Sequence, residues 1–389
     1  MIFKNSQLIL LNFATMKKVY LDNASTTAMR PEVIQEITKV MADDFGNPSS
    51  THSFGRNGKT ILELSRKSIA KHLNCFAQEI IFTSGGTEAD NWILRSAVKD
   101  LGVKRIITTK VEHHAVLYTV LALQSQYDID VDYVNINADG SIDLTHLSNL
   151  LSDEKKTIVS LMHVNNETGT ILDLDRVSVI CRQYNTLFHS DTVQSVGKTE
   201  IDLQKTQVDF IVASAHKFHG PKGIGFAFVR KNSGLQPSIF GGEQEKGLRA
   251  GTEAVHQIAG MAKALTLSYL NLDHEREYIS NLKMYLIDQL EIHFPGFRIN
   301  GKKEDFYNII NIILPFSSDK TSMLLFSLDM KGIAVSRGSA CQSGSIKPSH
   351  VLKEMLSEED LKLPNLRISF SHYNTKEDID WLIESLKSV

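Results

Sequence analysis

Between about residue 30 and residue 270 the chain alternates short apolar runs rich in Val, Ile and Phe with stretches of helical period, and this alternation narrows the fold more than any other feature. The runs at 79–83, 105–109, 157–162, 186–189, 210–213 and 225–229 carry too few polar residues to face water on either side. They predict strands buried on both faces. Amphipathic segments lie before and among them, at 62–73 and 174–184, and strands that alternate with helices predict an α/β domain around a mostly parallel sheet. A long helical pattern over 254–293 then leads to a second set of elements. These are strand-like residues 308–314, a helix near 322–330, an apolar run at 333–335, strand-like 366–370 and a final helix over 376–386. A smaller α+β domain is expected there. The expected division gives 28–268 to the large domain, with 1–27 and 269–389 in the small one. Residues 1–15 read as a poorly ordered tail and Met16 as an alternative start. A chain of 389 residues suits two domains, because single cores rarely grow beyond roughly 250–300 residues.

Composition excludes several classes. A formal net charge of -3 provides no broad positive field for nucleic acid or an anionic membrane. The apolar run at residues 8–11 falls far short of the ~20 residues a membrane helix needs, and it is too short for the core of a signal peptide. Three scattered cysteines, Cys75, Cys181 and Cys341, make neither a disulfide framework nor a Cys-rich zinc site. A reducing compartment, the cytoplasm, fits.

The polar residues that interrupt the apolar pattern fall where strands should end. Ser84-Gly85-Gly86-Thr87-Glu88 follows one strand and opens the helical pattern at 89–98. Glycines there let the backbone approach an anion, and helix-start N–H groups can hold a phosphate, although a tight turn has the same look. Ser214-Ala215-His216-Lys217 follows the run at 210–213, with His219-Gly220-Pro221-Lys222-Gly223 after it. A pocket lysine can form a Schiff base with an aldehyde cofactor, while Ser214 and His216 can reach a phosphate; a surface lysine is the plain alternative. Asp191 ends the preceding strand, in His189-Ser190-Asp191-Thr192-Val193-Gln194. It suits either a protonated pyridine nitrogen or a helix N-cap. The order of phosphate loop, acid and lysine at successive strand ends favours a ligand, since open α/β sheets bind there.

Glu112-His113-His114 is poor chelate spacing for a metal, because neighbouring helical side chains diverge by ~100°. One ring stacked on a planar cofactor suits it better. Cys341 lies in Ser336-Arg337-Gly338-Ser339-Ala340-Cys341-Gln342-Ser343-Gly344-Ser345, small and polar, where a thiol is placed to act as a nucleophile. Cys75 and Cys181 sit in apolar, periodic segments and read as packing.

With these motifs the chain resembles the cysteine desulfurases of the nitrogen-fixation and iron–sulfur-cluster type, within the class V aminotransferase-like, fold-type I pyridoxal-phosphate (PLP) enzymes. The resemblance runs from Tyr20 to the last helix. It is carried by Leu21-Asp22-Asn23-Ala24-Ser25-Thr26-Thr27, Gly46-Asn47-Pro48-Ser49-Ser50, Thr83 to Glu88, Met162-His163-Val164-Asn165-Asn166-Glu167-Thr168-Gly169, Ala215-His216-Lys217, Arg249-Ala250-Gly251-Thr252 and Gly338-Ser339-Ala340-Cys341. It implies that Lys217 holds PLP covalently and that Gly86, Thr87, Ser214 and His216 bind its phosphate, with Thr252 reaching the phosphate of a second subunit in a homodimer. It implies that Asp191 pairs with the pyridine nitrogen, Gln194 bonds the ring hydroxyl and His113 stacks on the ring. Asn166 and Arg367 would hold the substrate, L-cysteine, and Asn166 also borders the cofactor. Catalysis would fall to Lys217, Cys341 and His113, giving alanine and a persulfide on Cys341. No resident metal is implied; Cys341 would at most ligate an iron–sulfur cluster transiently.

Three departures stand out. Gly241-Gly242-Glu243-Gln244-Glu245-Lys246-Gly247 replaces the family's usual Gly-Gly-Gly-His-Glu-Arg-Gly, and Arg337 replaces a small residue. The chain stops at Val389 soon after its final helix, without the C-terminal segment that housekeeping members use to dock an iron–sulfur scaffold, so desulfuration is the firmer expectation than delivery to such a scaffold protein. An aminotransferase or selenocysteine lyase would keep Lys217 and Asp191, but transamination has no need of Cys341. A non-catalytic subunit need not keep Lys217, Asp191, His113 and Cys341 together.

Overall fold

The computed structural model describes residues 17–338 and 349–389. Two compact units divide the described residues, one formed by 26–166 and 170–274 and the other by 17–25, 167–169, 275–338 and 349–389.

In chain order, β1 (Val19–Tyr20) belongs to the smaller unit. The larger unit then takes α1 (Pro31–Asp43), α2 (Ser53–His72), β2 (Ile80–Thr83), α3 (Gly86–Lys99), β3 (Arg105–Thr108), α4 (His114–Gln126), β4 (Asp130–Tyr133), α5 (Leu144–Leu150), β5 (Thr157–Ser160), α6 (Leu174–Gln183), β6 (Leu187–Asp191), β7 (Phe210–Ser214), β8 (Gly225–Val229) and α7 (Val255–Leu270). Helix α8 (Leu272–His293) follows, with β9 (Arg298–Ile299), β10 (Ile309–Ile313), α9 (Leu324–Asp329), β11 (Ile333–Ala334), α10 (His350–Met355), β12 (Asn365–Ser369) and α11 (Lys376–Lys387).

The larger unit is built on a seven-stranded sheet in the order β2-β8-β7-β6-β5-β3-β4. Its strands run parallel except β8, which is antiparallel to both neighbours. Every residue of β2, β3, β5, β7 and β8 is buried, as a parallel sheet covered on both faces requires. Phe226 and Phe228 pack into one face with Ile80, Phe82 and Ile211, while Phe210, Val212 and Ala227 pack into the other with Trp92 and Ile93. Burying each of these phenylalanines contributes about 1.5–3 kcal/mol. Strand β4 was not expected from its sequence: it is a half-exposed edge strand, Asp-Val-Asp-Tyr, formed through parallel pairing with β3. The helical pattern over 254–293 is also two helices, α7 and α8, interrupted at Asn271, whose backbone N–H bonds to Leu267 O.

In the smaller unit, β10 lies between β12 and β9 in an antiparallel sheet, and β1 pairs in parallel with β11. Leu282, Leu286 and Leu290 of α8 and Ile379, Leu382 and Leu386 of α11 close a core over Ile310, Ile312, Leu366 and Ile368. Helix α11 starts at a capping box in which Thr375 N–H donates to Asp378 Oδ2 at 3.2 Å.

The segment 241–247, which departs from the family pattern, anchors the start of β2. Glu245 accepts two hydrogen bonds from the Arg66 guanidinium, at 2.7 and 2.8 Å, and a third from Phe82 N–H at 2.8 Å. Arg66 also donates to Ile80 O at 2.8 Å and lies over the Phe82 ring. Both side chains are almost wholly buried. Glu245 and Lys246 stand at φ +47° and +59°, a conformation that costs about 1 kcal/mol or more for a residue with a side chain. The bidentate pair offsets that cost. Glu245→Ala strands a buried guanidinium and is expected to destabilise the chain by about 3–5 kcal/mol in denaturant unfolding; a loss under about 1 kcal/mol would contradict this role.

Candidate active site

The register of the sheet brings three distant segments to one edge. Antiparallel β8 pairs Gly225 with Thr83 on one side and with Ser214 on the other. The loop after β2 and the turn after β7 therefore leave the sheet level with each other, one strand apart. Only glycine fits between them, since a Cβ on Gly225 would overlap Ala213 O and lie 2.7 Å from Gly85 Cα. On the far side of β7, Asp191 pairs with Val212, which places the carboxyl end of β6 beside the same turn.

The loop after β2 is a helix start with no side chains in the way. Gly85 has φ +154°, and a Cβ on Gly86 would lie 2.6 Å from Val193 Cγ2. Glu88 accepts from Ser84 N–H at 2.8 Å and pairs with Arg249 at 3.0 Å, tying the loop to the segment before Thr252. Gly86 is buried, while Thr87 and Thr252 are exposed. The N–H groups of the first turn of α3 carry the positive end of its dipole, which suits a phosphate.

The turn after β7, Ala215–Lys217, is laced to the segment beginning at Thr26. Thr27 donates to His216 O from both N–H and Oγ1, each at 2.9 Å, and Thr27 Oγ1 accepts from His219 N–H at 2.8 Å. His216 Nδ1 is 3.2 Å from Thr26 Oγ1. Burial, with Lys217, Lys222 and Lys198 nearby, pushes the imidazole down to about 3, so His216 is neutral at pH 7. Lys217 is half-buried.

Asp191 sits 6% exposed, and its Oδ1 accepts from Val193 N–H at 2.9 Å. Burial raises its pKa, while His113 and Lys217 favour the charged form. His189 is two residues earlier on the same strand and so on the same face. Its Nδ1 is 2.9 Å from Ser160 Oγ and its Nε2 is 3.3 Å from Asp90 Oδ1. Burial, with Asp191 and Glu112 nearby, drives the Asp90 carboxyl well up, and burial lifts Glu112 to about 8. Asp90 and Glu112 are thus the neutral members, and the negative charge belongs on Asp191, the one beside Lys217. Asp90 and His189 were not picked out from the sequence; their signal was a polar residue at a fully buried position.

His113 caps α4, its Nδ1 accepting from Ala115 N–H at 3.1 Å. Gln194, three residues after Asp191, is buried, and Asn166 is half-buried at the end of a stretch of the larger unit. Arg367 belongs to the smaller unit, where its Nη2 donates to Asp22 Oδ1 at 2.8 Å and to Ser25 Oγ at 2.6 Å. Cys341 lies outside the described residues. Burial pushes the Cys75 thiol up to about 12 and raises Cys181 as well, which leaves neither as a ready thiolate. Among the described residues no group of three or more His, Cys, Asp or Glu could hold a metal ion, and no helix is long and apolar enough to cross a membrane.

The family described as aminotransferase class-V matches residues 19–382. A cysteine desulfurase IscS of Clostridium botulinum (strain Kyoto / Type A2) is 40% identical over 377 residues, covering 96% of this chain and 94% of the relative. Among solved structures, a NifS-like protein aligns with a TM-score of 0.88 at 35% identity, over 96% of this chain and 99% of that one. SspA in complex with cysteine aligns with a TM-score of 0.80 at 30% identity, over 92% and 100%.

Proposed function

Since the chain belongs to the class-V aminotransferase family and to the cysteine desulfurases within it, we propose that it uses PLP to take sulfur from L-cysteine, releasing alanine. The observation that carries this reading is the convergence of β2, β7 and β6 ends at Gly225 and Asp191. The residues fit the cofactor. Gly85, Gly86 and Gly225 form a cradle that added Cβ atoms would crowd, and a buried carboxylate stands beside a lysine. Gly86, Thr87, Ser214 and neutral His216 would hold the phosphate, and Asp191 the ring nitrogen. Gln194 would hold the ring oxygen, with Asn166 bordering the ring.

Bound there, PLP would supply an aldehyde for the amino group of the substrate and a ring that accepts the electrons released at Cα. The chain's own residues do the rest. Lys217 would anchor the cofactor and would carry the proton removed from the substrate Cα. Asp191 would keep a proton on the ring nitrogen through its charge, which the neutral state of Asp90 and Glu112 confines to that one carboxylate. His113 covers the ring and takes part in proton transfer. Arg367 would pair with the substrate carboxylate, its plane set by Asp22 and Ser25. The Cys341 thiolate attacks the substrate sulfur, the substrate C–S bond breaks, and the balance is enzyme persulfide plus alanine.

Thr252, exposed on the single chain, would reach the phosphate site of a second copy in a two-fold dimer, which requires a two-chain particle in light scattering. The persulfide would pass to an acceptor protein for iron–sulfur cluster assembly, in the cytoplasm. Borohydride reduction of the PLP-loaded chain followed by peptide mapping tests the site: the cofactor mass is expected on Lys217, and its location on Lys198, Lys222 or another lysine would overturn the assignment.

A further inference from the structure

Lys198 is a buried lysine with no counter-charge among the described residues. It is 7% exposed, and among the described residues its Nζ has one hydrogen-bond partner, Gln194 Oε1 at 3.2 Å, and no ion-pair partner. Gln194 is itself 4% exposed. An unpaired ammonium away from water is costly, and proteins seldom retain one without a counter-charge. The neighbours make matters worse, since Lys217 lies close enough to repel it and Lys198 in turn adds to the positive field on His216. Burial together with Lys217 pulls Lys198 down to about 7.

The hydrogen bond also has a direction. In its charged form Lys198 can only donate, so the Gln194 carboxamide then offers it the oxygen, at 3.2 Å, and presents its N–H₂ elsewhere. Two donors and a positive charge behind them suit an oxygen that carries a negative charge better than one that must donate a proton.

We propose that Lys198 is a positioning residue for the cofactor, fixing Gln194 with its donors toward the ring oxygen and holding that oxygen as an anion. This rests on the PLP reading above. The bound anion then serves as the missing counter-charge, so the chain carries a destabilising lysine until the ligand arrives.

The test compares the PLP-loaded enzyme with Lys198→Met, Lys198→Arg and Gln194→Leu by pH titration of the visible cofactor band. A cation near the lysine-linked nitrogen eases loss of its proton, so in Lys198→Met the midpoint is expected to rise by about one unit. Lys198→Arg should return toward wild type. Lys198→Met combined with Gln194→Leu should shift less than the sum of the two, because both act on one oxygen. Thermal unfolding of the cofactor-free chains supplies a second readout: Lys198→Met is expected to melt at or above wild type, because it removes an unpaired buried charge. A lysine kept for packing alone would leave the midpoint unmoved and lower the melting temperature. Either an unmoved midpoint or a Lys198→Met chain that fails to fold overturns the proposal. A wild-type chain with no visible band at all would instead defeat the PLP reading, which keeps the two failures distinct.

Discussion

Lys217→Ala is expected to lose the covalent cofactor linkage and to lower alanine formation from L-cysteine by about a thousandfold, the scale on which a residue that is both nucleophile and proton carrier contributes. The loss is chemical rather than structural. Lys217 is half-buried in a short turn whose backbone is held by Thr27, and those bonds run through His216 O and His219 N–H, which the substitution leaves in place. Thermal unfolding of the cofactor-free variant should therefore match wild type within a few degrees, about what a change under 1 kcal/mol produces in a chain this size. PLP held only through its phosphate by Gly86, Thr87, Ser214 and His216 should still bind, more weakly and without the band of the lysine-linked form. Turnover at the native rate by Lys217→Ala would defeat the assignment.

Cys341→Ser is expected to separate cofactor chemistry from sulfur transfer. The visible band should persist, and its change on adding L-cysteine should persist too, because neither event uses the thiol. Sulfide release should fall on the order of a hundredfold or more, since a hydroxyl is a far weaker nucleophile than a thiolate near neutral pH. Cys75→Ser and Cys181→Ser provide the control. Burial holds both thiols in the neutral form, so each variant should keep wild-type kcat. Cys181→Ser, with its side chain in the main core of the larger unit, should cost about 1–3 kcal/mol of stability for a hydroxyl left without a partner. Extra sulfur found by mass spectrometry on Cys75 or Cys181, with none on Cys341, would contradict the mechanism.

The parts of the fold legible in the sequence are those where local pattern and burial agree. Residues 210–213 and 225–229 are apolar at nearly every position because β7 and β8 are covered on both faces. Strand β4 escaped notice for the opposite reason: its acidic residues face water at the sheet edge, and only pairing with β3 makes it a strand. The break between α7 and α8 escaped because Leu270 and Leu272 carry the apolar pattern across Asn271. In the site, Asp191 was readable as the residue that ends its strand, while Ser214, expected just after the run at 210–213, is the last residue of β7. The layer behind them was not. Asp90 and His189 meet across 99 residues of chain, and Lys198 looked like any other lysine until its ammonium was seen to be buried against Gln194. The bonds from Thr26 and Thr27 to His216 span about 190 residues, and no local pattern encodes them.

The most direct measurement of the central claim follows alanine and enzyme-bound sulfur together, in wild type and Cys341→Ser, during one turnover of the PLP-loaded enzyme with L-cysteine and no reductant. The account predicts one alanine per active chain and one extra sulfur atom, located on Cys341, in wild type, and neither above background in the variant. Alanine without the extra sulfur on Cys341, or pyruvate and ammonia in place of alanine, would contradict it.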